Sequence, residues 1–428
     1  MKKIIAKSGP LRGEIVVESD KSISHRAVIF AALARGESVV ENFLAAADTL
    51  STCDCLRQLG IEIRERGSAL VIPGRGLNGL IAPRVILYCG NSGTTMRLMS
   101  GVLAAQSFHS MLGGDDSLNR RPMKRVIEPL TMMGADISAR NHGSFAPLDI
   151  RGRNLKGIKY ELPVASAQIK SALLLAGLYA DGETVVVEPE KSRDHTERML
   201  SSMGANLQVN NYNISIKSGQ GLEPQKFIVP GDISSAAFFM VAAMVVPGSE
   251  LKIKDVGVNP TRSGIIDILT SMGGKINIEN QRIVGGEPIA DLVVSASDLK
   301  GIVVEGEIIP RLIDEIPVLA VAMAVAEGES IVKGASELRV KETDRISAIC
   351  SELGKMGIDI KETEDGFVIN GQPDALIGSV VNSHEDHRIA MCLAVAALVA
   401  RGETTVEGSE AVAISFPGFW ELLDTIRR

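Results

Sequence analysis

Two short phrases recur along the 428-residue chain, and this repetition limits the possible folds more than any other feature. The first phrase is an apolar, helix-like run, a turn with a glycine, and a short β-branched strand. Its turn glycines are Gly36, Gly182, Gly248, Gly328 and Gly402. A further copy at 98–115 lacks the turn glycine. Each copy predicts a buried helix, a tight turn and a strand.

The second phrase interleaves with the first and predicts an amphipathic helix that ends at a glycine, followed by a strand. CLRQLGIEI and ILTSMGGKI are examples, and its glycines are Gly60, Gly134, Gly204, Gly273 and Gly357. The C-terminal FWELLDTI resembles a shortened last copy. Together the phrases predict a mixed α/β unit of two helices and several strands that repeats about every 70 residues. Because so many repeats do not fit one core at this length, we expect two domains of three repeats each.

Composition and charge argue against several classes of function. The net charge is −7 and only 4% of residues are aromatic, which disfavours nucleic-acid binding. No apolar run reaches the roughly 20 residues of a membrane span, and the first residues lack the apolar core of a secretory signal. The five cysteines are sparse and odd in number, which predicts free thiols rather than disulfides. We therefore expect a cytoplasmic globular protein that binds neither membranes nor nucleic acids.

Polar clusters precede nearly every repeated apolar helix. They lie at 19–27, 89–97, 113–125, 163–172, 190–198, 309–322, 338–349 and 383–391. Because a helix N-terminus carries unpaired N–H groups and a partial positive charge, several of them aimed at one cleft would trap an anion. The stretch CGNSGTTMR (89–97) is typical of such a cradle, although it lacks the spacing of a nucleotide P-loop. In the cluster at 113–125, Pro122 marks a helix start.

Taken singly, each cluster is also compatible with an ordinary helix cap on a solvated surface. Ser22 or Asp20 is a candidate N-cap for the first apolar helix. Arg193 is expected to begin a helix, for which Ser192 or Asp194 with Glu197 is a candidate capping box. The repeated pattern therefore indicates an anion site without identifying its ligand.

Seven segments resemble the signature motifs of the 5-enolpyruvylshikimate-3-phosphate (EPSP) synthase family. In that family's order they are DKSISHR, GNSGTTMR, RRPM, SAQIKSALL, SRDHTE, LRVKETDR and EDHRIAM, spanning residues 20–391. SAQ, SRDHTE and HRIAM are most similar to the class II-like branch, which includes herbicide-tolerant bacterial enzymes. The resemblance implies a transferase of the shikimate pathway to chorismate and the aromatic amino acids. Such an enzyme moves the enolpyruvyl group of phosphoenolpyruvate to the 5-hydroxyl of shikimate 3-phosphate and releases phosphate.

The resemblance also implies the fold, the domains and the partners. The fold is a two-domain, inside-out α/β barrel in which each domain contains three βαβαββ repeats. The domains are expected at 20–228 and at 1–19 plus 229–428, with the active site in the interdomain cleft. The first of these would face shikimate 3-phosphate, and the second would complete the phosphoenolpyruvate site. No metal and no organic cofactor are implied, and we expect a monomer.

Site residues follow from the matched positions. Those implied to bind shikimate 3-phosphate are Lys21, Ser22, Arg26, Ser166, Ala167, Gln168, Arg193, Asp314 and Lys341. Those implied to bind phosphoenolpyruvate are Lys21, Gly93, Thr94, Arg121, Gln168, Arg345 and Arg388. The catalytic candidates are Lys21, Asp314, Lys341 and Glu342. The reaction needs a base and an acid near opposite ends of the double bond, so we assign Asp314 with Lys21 to the hydroxyl and Glu342 to C3. Arg97 is expected to support the cradle rather than to contact substrate.

Two other functions remain open from the sequence. One is UDP-N-acetylglucosamine enolpyruvyl transfer, although the Lys-Asn pair and the loop cysteine of that family are missing at Lys21-Ser22 and at 113–125. The other is a non-catalytic phosphate-binding scaffold, which would not need both Asp314 and Glu342. For glyphosate, the small Gly93 implies room for the herbicide, whereas the branch resemblance implies tolerance. Because the cations repel each other until anions bind, we expect an open form that closes on its substrates.

Overall fold

The glycines of both phrases lie where the backbone turns left-handed. In the computed structural model, which describes residues 1–219 and 221–427, the second-phrase glycines have φ values between 82° and 98°. Each follows the C-cap residue of a helix, so the predicted helix ends are confirmed. The first-phrase turn glycines have φ values between 74° and 130°, a region that strains residues with a side chain.

The chain divides into two compact units. The N-terminal unit comprises Ser19–Val229 and Ile283–Glu287, and the C-terminal unit comprises Met1–Glu18, Pro230–Arg282 and the chain from Pro288 onward. In the N-terminal unit the helices are α1 (Lys21–Leu33), α2 (Ala47–Gln58), α3 (Gly93–Leu103), α4 (Lys124–Met132), α5 (Arg140–Gly143), α6 (Ala167–Gly177) and α7 (His195–Ser202). In the C-terminal unit they are α8 (Ile233–Val245), α9 (Gly264–Ser271), α10 (Ile309–Leu312), α11 (Ile316–Val325), α12 (Arg345–Lys355), α13 (His387–Ala397) and α14 (Phe419–Ile426).

Strands alternate with these helices. The chain begins with two strands of the C-terminal unit, β1 (Lys2–Ala6) and β2 (Arg12–Val16). The strands of the N-terminal unit are β3 (Arg35–Glu41), β4 (Arg64–Arg66), β5 (Ala69–Arg75), β6 (Leu87–Tyr88), β7 (His109–Gly113), β8 (Asp136–Ala139), β9 (Phe145–Arg151), β10 (Lys159–Glu161), β11 (Glu183–Val187), β12 (Asn206–Asn210), β13 (Asn213–Lys217) and β14 (Lys226–Ile228). The remaining strands are β15 (Glu250–Gly257), β16 (Lys275–Val284), β17 (Glu287–Ser295), β18 (Val303–Val304), β19 (Gly328–Val332), β20 (Asp359–Glu362), β21 (Phe367–Gly371), β22 (Val380–Asn382) and β23 (Glu403–Glu407).

The strands form small, separate sheets that share one pattern. In β10-β11-β13-β12, the strand after the apolar helix pairs in parallel with the strand before that helix and antiparallel with one strand of a hairpin. The sheets β6-β7-β9-β8 and β18-β19-β21-β20 repeat this order. The predicted mixed α/β class and its βα repeats are therefore confirmed. Within the described residues each sheet has three or four strands, and none closes into a barrel.

Three edge strands pair with strands that are distant in the chain. β2 pairs in parallel with β15, and β1 pairs antiparallel with β23, so the first residues belong to the C-terminal unit. β14 pairs in parallel with β3 and thereby completes the first sheet of the N-terminal unit. Because an edge strand needs only a free neighbouring edge, a distant segment supplies it as well as a local one.

Each unit has its own apolar core, built around the first-phrase helices. The residues of α8 from Ile233 to Met244 are all buried, as are those of α11 from Ile316 to Ala324. In the N-terminal unit α3 and α6 approach closely at Gly101, where a Cβ atom would lie 2.1 Å from the Ala172 carbonyl oxygen. Close packing of these helices holds their polar N-terminal turns in fixed positions.

Candidate active site

The first turns of three helices in the N-terminal unit are joined by hydrogen bonds between side chains. Arg26 on α1 donates from Nη2 to Ser171 Oγ on α6 at 2.8 Å. Gln168 on α6 donates from Nε2 to Thr94 Oγ1 on α3 at 3.0 Å. The N-terminal turns of these helices therefore meet in one place, as the polar clusters predict.

The free N–H groups at these helix starts are used in part by the helices' own caps. Asp20 accepts from Ile23 N at 2.8 Å and caps α1, which decides between Asp20 and Ser22. Ser92 accepts from Thr95 N at 3.1 Å and caps α3. Within the described chain no side chain caps α6, whose N-cap position is held by Ser166. Each cap bonds one N–H group of the first turn, so the prediction that these helix starts also present free amides stays a prediction.

Two guanidinium groups lie beside Gly93, the first residue of α3. A Cβ atom at this glycine would lie 2.8 Å from Arg97 Nη1 and 3.7 Å from Arg121 Nη1. Arg97 also donates to Gln168 Oε1 at 2.6 Å. Burial, together with the charges of Arg121 and Arg125, lowers the pKa of Arg97 to about 10. Cations that repel each other beside a helix N-terminus favour a nearby anion. The hydrogen bond to Gln168 agrees with the supporting role expected for Arg97, which stays a prediction.

Lys21, Ser22 and Arg121 each make a polar contact within the N-terminal unit. Lys21 opens α1, and its Nζ lies 3.2 Å from Asp48 Oδ2 at the start of α2. Arg121 donates to Asn91 Oδ1 at 2.5 Å. The Ser22 carbonyl accepts from Arg26 Nη1 at 2.9 Å. α4 begins at Lys124, so the helix start predicted at Pro122 is two residues early because a turn and an isolated β-bridge occupy that stretch.

Arg26 is buried and lies close to Arg193. Its Nε donates to Thr196 Oγ1 at 2.8 Å. Burial and the charge of Arg193 lower the pKa of Arg26 to about 10, although Glu197 and Asp20 act in the opposite sense. Arg193 lies in the segment between β11 and α7. The helix begins at His195, so the start expected at Arg193 is two residues early.

A buried ionic cluster, which the sequence interpretation missed, anchors the segment that carries Arg193. Lys170 on α6 is 1% exposed and pairs with Glu188 at 2.9 Å and with Glu197 at 2.6 Å. Ser192 donates its backbone N–H and its hydroxyl to Glu188 Oε1. The capping box suggested for Glu197 is therefore wrong, because Lys170 holds that carboxylate instead. Burial raises the pKa of Glu197, and Lys170 opposes the shift.

In the C-terminal unit, carboxylates stand at the starts of the apolar helices. Asp232 accepts from Ser234 N at 2.9 Å and caps α8. Asp386 accepts from Arg388 N at 2.8 Å and caps α13. Glu315 occupies the N-cap position of α11, directly after Asp314. These helix starts are therefore acidic, and the caps of α8 and α13 bond part of the N–H groups at each start.

Arg345 connects the acidic groups of this unit. It opens α12, is 2% exposed, and donates from Nε to Asp386 Oδ2 at 2.8 Å. It also donates to Glu342 Oε2 at 2.6 Å and to Asp314 Oδ1 at 3.4 Å. Lys341 Nζ lies 3.7 Å from the same Asp314 oxygen. Arg388 Nη1 donates to the Asp314 carbonyl at 3.0 Å. All five residues predicted for this unit thus lie in one network.

The Glu342 carboxyl is strongly acidic in this network. Burial by itself would raise its pKa, but the charges of Arg345 and His387 and its own backbone N–H lower the pKa to about 2. Glu342 is therefore ionised at neutral pH in the unliganded chain. A carboxylate in that state accepts a proton and does not donate one.

Neither metal ligands nor a membrane helix are evident in the described part of the chain. Among residues 1–219 and 221–427, no group of three or more His, Cys, Asp or Glu side chains is arranged to hold a metal ion. No described helix is long and apolar enough to cross a membrane.

The fold is shared with solved enolpyruvyl transferases. The enolpyruvyl transferase NikO from Streptomyces tendae has a TM-score of 0.77 at 17% identity, over 99% of this chain and 96% of its own. At that identity the likeness shows the fold alone. An EPSP synthase from Acinetobacter baumannii has a TM-score of 0.93 at 46% identity, over 99% of this chain and 98% of its own.

The sequence comparisons give the family. Residues 5–423 match the family model described as EPSP synthase (3-phosphoshikimate 1-carboxyvinyltransferase). A 3-phosphoshikimate 1-carboxyvinyltransferase of Syntrophomonas wolfei is 62% identical over the full length of both chains. One of Brevibacillus brevis is 52% identical over 96% of this chain and 97% of its own. The chain belongs to the EPSP synthase family.

Proposed function

We propose that the chain transfers the enolpyruvyl group of phosphoenolpyruvate to the 5-hydroxyl of shikimate 3-phosphate, giving EPSP and inorganic phosphate. The observation that carries this proposal is the 62% identity, over the whole of both chains, with a 3-phosphoshikimate 1-carboxyvinyltransferase. The two networks of charged residues at the helix starts suit a reaction between two anions, because they concentrate cations and ionised acids without a metal.

The N-terminal unit supplies groups for anion binding. We assign the 3-phosphate of shikimate 3-phosphate to the uncapped start of α6 at Ser166, Ala167 and Gln168, together with Arg193. Lys21, Ser22 and Arg26 complete this subsite. Backbone N–H groups and guanidinium forks are the donors best suited to phosphate.

Phosphoenolpyruvate is assigned to the start of α3. Gly93 and Thr94 would present the helix N-terminus, while Arg121 and Gln168 face the same place. Burial lowers the pKa of Arg97, and the charge of Arg121 lowers it further. An anion at this point would relieve the repulsion between these two guanidinium groups. Lys21, Arg345 and Arg388 are the further cations proposed for its carboxylate and phosphate.

The chemistry is addition followed by elimination. In the addition, the 5-hydroxyl oxygen bonds to C2 and loses its proton, while C3 gains a proton and becomes a methyl group. In the elimination, C3 loses a proton, the C2–O bond to phosphate breaks, and phosphate leaves. We assign the hydroxyl proton to Asp314 with Lys21, the proton at C3 to Glu342, and charge stabilisation near the reacting carbons to Lys341.

Substrate charge would prepare Glu342 for this role. Arg345 holds Glu342 ionised in the unliganded chain, and Arg345 is also a proposed contact of phosphoenolpyruvate. When that anion pairs with Arg345, the hold on Glu342 weakens and its pKa rises toward the ordinary range. Glu342 then becomes able both to donate a proton to C3 and to take one back.

Both networks are proposed to act on the same pair of substrates, at an active site in the cleft between domains at 20–228 and at 1–19 plus 229–428. We further propose a monomer that works in the cytoplasm. Light scattering during size-exclusion chromatography tests the monomer, whose measured mass should equal the 45.5 kDa of one chain. Fractionation of the source cells tests the location.

Phosphate release tests the function directly. We expect inorganic phosphate from phosphoenolpyruvate only when shikimate 3-phosphate is present. Release with UDP-N-acetylglucosamine instead would indicate the sister enolpyruvyl transferase. Binding of either substrate without turnover would indicate a phosphate-binding scaffold.

A further inference from the structure

One buried cation near Asp314 has no role in the proposed reaction or in substrate binding. Arg262 lies in the short segment between β15 and α9, and it is 4% exposed. A tight turn holds this segment: Asn259 Oδ1 accepts from the N–H and the hydroxyl of Thr261, and Arg262 N donates to Asn259 O at 2.8 Å. The turn leaves the Arg262 guanidinium at a fixed point in the interior.

The guanidinium reaches the starts of two apolar helices at once. Its Nη2 donates to Asp232 Oδ1 at 3.0 Å and to Ser234 Oγ at 2.8 Å, both at the start of α8. At the start of α11, its Nη1 lies 3.8 Å from Asp314 Oδ2, and its Nη2 lies 3.9 Å from Glu315 Oε1. Lys341 and Arg345 contact the other oxygen of Asp314, so Arg262 lies on the opposite side of that carboxylate.

Glu315 makes a cation at this place necessary. It follows Asp314 in the chain, is 1% exposed, and accepts from the Ser234 hydroxyl. A second carboxylate this near would favour protonation of Asp314 unless a positive charge lay between them. Burial raises the pKa of Glu315, whereas Arg262 is the cation that lowers it most. Arg262 thus compensates the negative charge that surrounds the proposed base.

We propose that Arg262 is a positioning residue for Asp314, which keeps this carboxylate ionised and holds its Oδ2 so that Oδ1 is directed to Lys341 and Arg345. The inference rests on the proposed function, in which Asp314 takes the hydroxyl proton. The charged groups around Asp314, taken from every element packed against it, are Asp232, Arg262, Glu315, Lys341, Glu342, Arg345, Asp386, His387 and Arg388.

The test is the pH profile of kcat/KM for shikimate 3-phosphate in Arg262→Gln, Arg262→Lys and wild type. Removal of the positive charge raises the pKa of Asp314, and activity needs the ionised form. In Arg262→Gln the midpoint of the acidic limb should therefore move about one pH unit higher. Arg262→Lys should keep the wild-type midpoint but lose about tenfold in kcat, because one ammonium group cannot replace the guanidinium fork.

Lys252→Gln is the matched control. Lys252 lies on β15 of the same unit and pairs with Glu279 at 3.1 Å and Asp291 at 3.4 Å, so its loss changes the net charge equally without touching the Asp314 network. In Lys252→Gln, the midpoint of the acidic limb of kcat/KM should equal that of the wild type.

Two results would overturn the proposal: a wild-type midpoint in folded Arg262→Gln, or wild-type kcat in Arg262→Lys. If Arg262→Gln does not fold, the kcat of Arg262→Lys decides. Wild-type turnover with both substrates tests the proposed function separately, so the two failures are distinguishable.

Discussion

Gly93 is the residue whose small size matters most for the N-terminal network. An added Cβ would lie 2.8 Å from Arg97 Nη1, so the Arg97 guanidinium would have to move, whereas the 3.7 Å to Arg121 Nη1 is an ordinary contact. Arg97 is also the donor to Gln168, so any displacement of Arg97 disturbs the contact between α3 and α6.

We predict that Gly93→Ala raises KM for phosphoenolpyruvate about tenfold and leaves KM for shikimate 3-phosphate within about twofold, because one misplaced cation weakens one anion contact. Steady-state kinetics with each substrate varied in turn measures both values. Gly354→Ala is the matched control, since a Cβ there meets nothing within 4 Å. Equal rises in both KM values would point to a general loss of structure rather than a local displacement.

Glu342 is the residue on which the proton transfers at C3 depend. We predict that Glu342→Gln lowers kcat by about 10²–10⁴ while the binding of shikimate 3-phosphate changes little, because an amide cannot accept or donate the proton. Single-turnover kinetics and calorimetric titration separate the two effects. A loss of kcat below about threefold would refute the assignment, and Glu65→Gln, which changes an exposed carboxylate on β4, serves as the control.

At the scale of the element, α12 provides a sharp comparison between two glycines. Gly357 follows the C-cap of this helix at φ 89°, whereas Gly354 lies within the helix three residues earlier. We predict that Gly357→Ala lowers the free energy of unfolding by about 1 kcal/mol, because a side chain strains the left-handed backbone. Gly354→Ala should raise it by about 0.5 kcal/mol through helix propensity. Urea unfolding measures both, and a stable Gly357→Ala variant would contradict the capping role.

Helix boundaries show what the sequence can and cannot predict about elements. The end of α12 before Gly357 is a local property, decided by residues within one turn, and the phrase pattern predicted it correctly. The start of α4 was predicted at Pro122 and lies at Lys124, because a β-bridge joins Pro122 to Phe145, which is distant in sequence. Sheet partners such as β2 with β15 likewise come from far along the chain, and the family resemblance indicated only that residues 1–19 belong with the second domain.

At the scale of the whole molecule, the anion site does not depend on net charge. The chain carries −7 overall, yet cations gather where the helix starts of one unit meet. The residue types of these clusters were predictable, because each motif is a short run of consecutive residues. The partners of these residues were not predictable. Gln168 with Arg97 and Arg262 with Asp314 join residues on different repeats, so neither periodicity nor spacing reveals them. Lys170 and Glu188 lie in one repeat, but the strand β11 separates them in the chain.

Closure on substrates is the prediction that belongs to the whole chain. Both networks contain cations proposed for the same anions, and their mutual repulsion opposes a closed form until two anionic ligands neutralise it. We therefore expect the radius of gyration in small-angle X-ray scattering to fall when shikimate 3-phosphate and a phosphoenolpyruvate analogue are added together. Shikimate, which lacks the phosphate, is the control and should leave the curve unchanged. Identical curves with and without both ligands would contradict closure while leaving the chemistry at Glu342 and Asp314 to be judged by kinetics.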